Sequence, residues 1–281
     1  GGHQTVHTSG INLPTPEAAL YAALDSLRWI RESDESIRGH QWLKSKFLGN
    51  ELGGRSVRVI SGNGAGAAIW QAFSSFGATL VDDERQADLS VELVTPSRFT
   101  NGSGLREKTA GIIGFGGIGP EVAQKFLALG AGKVLAYDPY VQSSHQPKVT
   151  LVNDEAGLGS LLKQSDIVSI HVPLTSGTNG MVNAGFLEKM KPGAILVNTS
   201  RGQVVDEDAV CAALGKRKIF FGTDVYIEEP KGETIIGSQE RFLIYPARTL
   251  LTAHQGAQTE EAQTGIAREL LAITDNVFAS A

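Results

Sequence analysis

Apolar positions along the chain recur with two periods. Between residues 15 and 37, in TPEAALYAALDSLRWIRESDESI, Leu20, Leu24, Leu27 and Ile30 return every three or four residues. That spacing predicts an amphipathic helix, capped by Thr15 and opened by Pro16. After the polar, glycine-rich FLGNELGG the pattern changes to short apolar runs alternating with helical stretches. SVRVI and GATLV read as strands around the helix AAIWQAFSSF, DDERQADLSVELV adds one more strand, and residues 95–104, TPSRFTNGSG, read as a linker. Then come strand TAGIIGF, helix PEVAQKFLALG, strand KVLAYD, helix LGSLLKQ, strand IVSIHVP, helix NAGFLEKM, strand AILVNTS, helix DEDAVCAAL, and strands FFGTDVY and TLLTAH. A last amphipathic helix follows in EEAQTGIARELLAITDNVF. Strands that are apolar almost throughout, alternating with helices, predict a parallel sheet covered on both faces.

Composition narrows the function classes. The 281 residues suffice for about two domains, 41% are hydrophobic, and the formal charge is -5. No apolar run approaches the roughly 18 residues of a spanning helix, so no membrane is expected. Lysines and arginines are scattered, which argues against nucleic acid. The single cysteine, Cys211, cannot pair internally and suggests a reducing, cytoplasmic setting. No His, Cys or acidic group has metal-ligand spacing, so no metal is expected.

Two glycine-rich turns stand out. Gly114, Gly116 and Gly119 form G-x-G-x-x-G between a strand and a helix. The first glycine permits the tight turn, the second lets backbone approach a pyrophosphate, and the third lets helix and strand pack closely. The N-terminus of the helix that opens at Pro120 then offers N–H groups to phosphate, and Gly117 and Ile118 of the loop ahead of it are expected to bind the cofactor with the glycines. Asp138, nineteen residues after Gly119 at the next strand end, is placed to accept from ribose hydroxyls and to repel the extra phosphate of NADP. The fold class is therefore α/β, a Rossmann-type doubly wound parallel sheet with a smaller additional α/β region, and the cofactor is NAD. The earlier turn, VISGNGAG, spaces Gly62, Gly64 and Gly66 as G-x-G-x-G and lacks a comparable downstream set.

HVPLTSGTNGMVN, MKPGAILVNTSRGQVVDEDAV, GTDVYIEEP and LLTAHQGAQTEEA follow in order. Together with GIIGFGGIG and AYDPYV, these strings resemble the D-isomer-specific 2-hydroxyacid dehydrogenase family over about residues 105–270. The resemblance implies that Arg201 binds substrate, Glu229 is the acid partner and His254 the catalytic histidine. It also implies that Thr199, Ser200, Asp224, His254 and Gly256 lie at the nicotinamide end, and His171, Val172 and Pro173 on the adenosine side. The chemistry is coherent. Reducing a 2-keto acid needs a hydride, a proton for the forming alkoxide and a clamp on the carboxylate. An imidazole can deliver the proton, a carboxylate can orient it, and an arginine fork can pair with the substrate. Singly, each residue has a plainer explanation: a solvated loop charge for Arg201, an exposed turn for Glu229, a structural hydrogen-bonder for His254. Their joint occurrence in matching strings selects the chemical reading.

The pattern also departs from the family. A substrate domain of about a hundred residues is not in its usual place ahead of the helix at residues 15–37, so the chain is expected to start late. About fifty residues, from Arg55 to Gly104, stand between ELGGR and the cofactor loop. They read as a degenerate copy of the cofactor βαβ unit, as a displaced carboxylate loop in which Asn63, Gly64, Ala65 and Gly66 meet the substrate, or as a packing unit. Gly117 stands where the family often carries an arginine or another polar residue. The expected domains are residues 1–104, with the long helix and an incomplete or rearranged substrate region, the NAD-binding domain at 105–257, and a C-terminal helix at 258–281 packing back on the N-terminal region.

The expected function is an NAD-dependent oxidoreductase acting on a 2-keto acid/D-2-hydroxy acid pair, as a homodimer. The alternative is an NAD-binding sensor or oligomerisation module without turnover. Formate dehydrogenase is a related enzyme reading, but releasing carbon dioxide needs no proton relay, and the Glu229–His254 pair argues for a hydroxy acid.

Overall fold

A computed structural model describes residues 4–7, 28–60, 67–92, 105 and 107–264. The expected helix before Arg28, the second glycine loop with Asn63, Gly64, Ala65 and Gly66, the expected linker at 95–104, and the final helix beyond residue 264 lie outside the described residues.

Two parallel sheets form. The first comprises β1 (Gln4–His7), β2 (Ser56–Ile60), β3 (Thr79–Leu80) and β4 (Leu89–Glu92) in the order β1-β4-β2-β3, with α2 (Ala67–Ser75) between β2 and β3. The stretch interposed ahead of the cofactor loop thus builds its own sheet together with an N-terminal strand and does not extend the dinucleotide sheet.

The second sheet has seven strands: β5 (Thr109–Ile113), β6 (Lys133–Tyr137), β7 (Val149–Val152), β8 (Ile167–Ile170), β9 (Ala194–Asn198), β10 (Ile219–Thr223) and β11 (Thr249–Leu251). Their order is β11-β10-β9-β8-β5-β6-β7, parallel throughout. The chain runs outward from β5 through β6 to β7, then crosses to β8 on the other side. That places a topological switch point, the usual ligand crevice of open α/β sheets, between β5 and β8.

Helices cover both faces because the strands are apolar on both. Leu161 and Leu162 of α4 (Glu155–Gln164), Phe186 and Leu187 of α5 (Ala184–Lys189) and Val210 and Leu214 of α6 (Glu207–Gly215) join one core with Val168, Leu196 and Phe221. Ala123 of α3 (Ile118–Ala128) packs on the other face with Ile112, Val134 and Ala136. Each fully buried leucine contributes about 1.5–3 kcal/mol. Asp154, Asn183 and Asp206 cap α4, α5 and α6 by accepting from Gly157, Phe186 and Ala209 N–H. Between the two sheets, α2 packs beside α3, with the Lys125 ammonium 5.3 Å from the Phe76 ring centre. Residues just beyond the dinucleotide sheet tie back to residues 49–55, through Gly49 N–H to Gln258 O at 2.9 Å and an Arg55–Glu261 ion pair at 3.1 Å.

Several local features differ from the sequence pattern: β1 was not expected, and Trp29, at φ +56°, interrupts the helix expected over 15–37, so that the helix there starts only at Ile30. β7 was not expected, since its four residues VTLV follow a polar, turn-rich run and pair only with β6 at the sheet edge. α7 (Ser238–Leu243) was not expected either, because six residues give too short a periodic signal. α3 begins at Ile118, two residues ahead of the expected Pro120, and the proline's missing N–H falls among those the helix leaves unpaired.

The opposite edge, β11, is covered by α1 (Ile30–Arg38). Arg38 donates to Thr249 O at 2.7 Å, Asp34 accepts from Leu251 N–H at 2.9 Å, and Ser33 Oγ accepts from Ala253 N–H at 3.0 Å. Side chains of one helix thereby answer the backbone groups that an eighth strand would have paired. An ion pair at 2.7 Å holds Asp34 and Arg38 to each other.

Candidate active site

The glycine loop lies where β5 ends, at the switch point. Gly114 has φ +94°, a left-handed conformation that disfavours any side chain. A Cβ there would also come within 2.8 Å of the His171 carbonyl and 2.9 Å of Val172 N. A Cβ on Gly119 would collide with the Gly114 carbonyl, so the third glycine does allow close packing of helix on strand. Gly116 and Gly117 face open space, and Gly117 gives α3 no side-chain cap. Open backbone ahead of uncapped helical N–H groups suits a pyrophosphate. Asp138, at the end of β6, accepts from Phe115 N–H and Tyr140 N–H, each at 2.9 Å, and so braces the loop it follows. The residues present therefore fit a dinucleotide.

His171 begins the loop after β8. Burial pushes its imidazole down to about 4, so the ring is neutral at pH 7, with Nε2 2.8 Å from Ser169 Oγ. Val172 and Pro173 follow it in the same loop.

The remaining candidates come from three adjacent strands. Arg201 follows β9, Glu229 follows β10, and His254 follows β11, all at C-terminal ends of neighbours in the sheet. His254 Nδ1 lies 2.7 Å from Glu229 Oε1 and 2.8 Å from Oε2. A carboxylate can only accept, so Nδ1 carries a hydrogen and Nε2 is the nitrogen left for a substrate. Arg201 is exposed, its Nη1 donating to Ser200 O at 2.7 Å, and no hydrogen bond among the described residues joins it to the pair. Thr199 is exposed and Ser200 donates to Asn198 Oδ1 at 2.9 Å.

Asp224 is 5% exposed, and its carboxylate binds the histidine's own loop. It accepts from Thr252 Oγ1 at 2.7 Å, Gln255 N–H at 2.9 Å and Gly256 N–H at 2.8 Å. A cavity of about 810 Å³ reaches Thr199, Asp224 and Gly256, then runs down an apolar sheet face to Phe220 and Leu250. His254, Glu229 and Arg201 do not line it.

Several supporting residues were not singled out from the sequence. Buried Asn198 donates to Arg201 O at 3.0 Å and accepts from Ser200. It sits in NTSRG, so a signal was present. Glu207 accepts from Ile227 N–H at 3.1 Å, and a Cβ on Gly202 would collide with the Tyr226 backbone, so the loops of Arg201 and Glu229 are in direct contact. Ser238 accepts from Glu228 N–H at 3.1 Å and Gln239 donates to Glu228 O at 2.7 Å, fixing the residue before Glu229. Tyr226, wholly buried, donates to Thr252 O at 3.0 Å, and burial, reinforced by Asp224, raises its pKa and keeps it a donor. Among the described residues no group of three or more His, Cys, Asp or Glu could hold a metal, and no helix is long and apolar enough to cross a membrane.

A doubly wound sheet with this loop at its switch point defines a dinucleotide-binding domain. Comparison with known proteins makes the class specific. The model of the D-isomer specific 2-hydroxyacid dehydrogenase NAD-binding domain matches residues 82–256, and the chain belongs to that family. The match begins ahead of residue 105 and takes in β4. The chain is 40% identical over 171 residues to a hydroxypyruvate reductase of Thermotoga maritima, covering 60% of this chain and 53% of the relative. It is 31% identical over 260 residues to a D-3-phosphoglycerate dehydrogenase of Archaeoglobus fulgidus, covering 92% of this chain and 37% of the relative. Among solved structures, a glyoxylate reductase from Paecilomyes thermophila superposes with TM-score 0.51 at 33% identity, covering 60% of this chain and 48% of that one. The chain thus spans about half or less of the length of these relatives.

Proposed function

We propose that the chain acts as an NAD-dependent oxidoreductase interconverting a 2-keto acid and a D-2-hydroxy acid. The Glu229–His254 pair carries the reading, with Arg201 on the loop after a neighbouring strand of the same sheet. NADH, when bound, supplies the hydride. Arg201, free to reorient because its guanidinium is exposed, pairs with the substrate carboxylate and polarises the adjoining carbonyl. His254 Nε2 gives its proton to the carbonyl oxygen as that becomes a hydroxyl, and takes a proton from solvent for the next turnover. Glu229 holds the ring through Nδ1, so that Nε2 keeps its aim. Gly114, Gly116, Gly117, Ile118 and Gly119 take the pyrophosphate, and Asp138 takes the ribose and disfavours NADP. Thr199, Ser200, Asp224 and Gly256 border the nicotinamide, and His171, Val172 and Pro173 the adenosine.

The relatives suggest short 2-keto acids as substrates. NADH oxidation with glyoxylate, hydroxypyruvate, pyruvate and phenylpyruvate tests this, with chiral analysis of the product. Reduction of at least one to the D-product, lost in His254→Ala, is expected. NADH binding by fluorescence without turnover would leave an NAD-binding module in its place. We also propose a cytoplasmic homodimer, in keeping with one cysteine in 281 residues and an apolar stripe at residues 20–30. Sedimentation as a monomer would overturn the dimer.

A further inference from the structure

His254 has φ +50°, the left-handed region that residues with a side chain rarely adopt. Such a conformation persists only where the surroundings over-determine it. Here the backbone is held on both sides of the ring. From inside the sheet, Asp224 takes the N–H groups of Gln255 and Gly256. From outside, Ser33 Oγ takes Ala253 N–H at 3.0 Å, with Ser33 wholly buried. Arg28 Nη2 donates to Gln255 O at 3.2 Å and to Gly256 O at 2.7 Å, and the Gln255 amide donates back to Arg28 O at 2.7 Å.

We propose that Arg28 and Ser33 are positioning residues that act through His254. They clamp the residues before and after it, Ser33 from the helix that covers β11 and Arg28 from just ahead of that helix, and so keep the backbone in the left-handed conformation that presents Nδ1 to Glu229. They lie more than 200 positions away in sequence, and their hydrogen bonds go to the backbone of Ala253, Gln255 and Gly256. The inference rests on the proposed proton transfer by His254. Without the clamp, the backbone relaxes toward the ordinary φ and the ring swings off its carboxylate. A displacement of about 1 Å at a proton donor lowers turnover by up to roughly a hundredfold.

The test uses the full chain with Arg28→Ala, Arg28→Lys and Ser33→Ala, plus Lys218→Ala as a control that removes a lysine-to-carbonyl bond remote from the site. Two readouts are taken. In ¹⁵N-histidine spectra, the His254 signal, identified by its absence in His254→Ala, should move in Arg28→Ala and Ser33→Ala, and stay in place in Lys218→Ala. Turnover should fall at least about tenfold with NADH affinity within about twofold, Arg28→Lys should lose less, and Arg28→Ala should cost nothing further in a His254→Ala background. An unmoved ring signal in both clamp variants would overturn the proposal, as would an equal loss of turnover with and without His254. If the unmodified chain reduces no keto acid, the activity reading fails, and the ring signal alone decides: movement supports the clamp and its absence overturns it.

Discussion

Replacing Asp224 by asparagine should damage both stability and turnover by calculable amounts. The substitution keeps the shape but exchanges one acceptor oxygen for a donor. Oδ1 accepts from Thr252 Oγ1 and Gln255 N–H, and Oδ2 accepts from Gly256 N–H. Whichever way the amide turns, one backbone N–H of the histidine loop faces another donor. The site is 5% exposed, so water cannot readily replace the lost bond. A hydrogen bond to a charged group is worth about 1.5–3 kcal/mol, and stranding its buried partner costs about 1–3 kcal/mol. Relief from burying a charge offsets part of this, leaving a net loss of ~2 kcal/mol. Asp224→Ala removes all three bonds and should cost ~4 kcal/mol or more. Urea unfolding followed by tryptophan fluorescence measures the first quantity, and steady-state NADH oxidation the second. Turnover should fall at least about tenfold in Asp224→Asn, because the loop that loses its anchor carries His254. Stability within about 0.5 kcal/mol of the parent together with turnover within about twofold would refute the reasoning.

Further expectations concern the sheet and its loops. Gly202→Ala forces a Cβ into the Tyr226 and Ile227 backbone, which cannot yield as a side-chain tip would. It should cost about 1–3 kcal/mol and separate the loops of Arg201 and Glu229, visible as a fall in both thermal midpoint and kcat/KM. His171 is held neutral by burial, at about 4 against 6.5. A depressed histidine opposes folding in acid, so stability should decline as pH falls from 6.5 to about 4, by at most ~3 kcal/mol. His171→Gln should flatten that slope in pH-dependent urea unfolding. Burial raises the Asp166 pKa, but the hydrogen bond from Lys191, the N–H of Thr109 and the charges of Lys191 and Lys108 outweigh it and lower the net value. Its contribution is therefore complete above the ordinary carboxylate range near ~4 and lost as pH falls below it, in a separate window from His171. Asp166→Asn should remove that lower transition alone. Asp34→Ala leaves Leu251 N–H without its acceptor and takes from the Arg38 guanidinium its carboxylate partner, leaving it the Thr249 carbonyl, and should raise amide exchange along β11 first.

Most strands of the dinucleotide sheet were legible because each is a short apolar run between turn residues, and their parallel arrangement followed from the alternation with helices. β7 was not, because an edge strand of four residues needs no apolar face beyond one neighbour. The cofactor loop could be read because glycine spacing reflects backbone contacts: Gly114 and Gly119 meet the chain closely, while Gly116 leaves room. Glu229 and His254 could be paired only through matching strings, since their 25-residue separation says nothing about distance. Arg28 and Ser33 were invisible. Their partners are backbone groups more than 200 residues away, and a backbone carbonyl leaves no mark on the sequence. The pairing of β1 with β4 was hidden for the same reason, since strand partners distant in sequence are chosen by tertiary packing.

The central claim is that His254, oriented by Glu229, supplies the proton for reduction of a 2-keto acid. Single-turnover oxidation of bound NADH by a keto acid tests it most directly, comparing the parent chain with His254→Gln at saturating cofactor. The variant should bind NADH within about twofold of the parent while the transfer slows by about 10²–10⁴. A variant that transfers within about threefold of the parent's rate would contradict it.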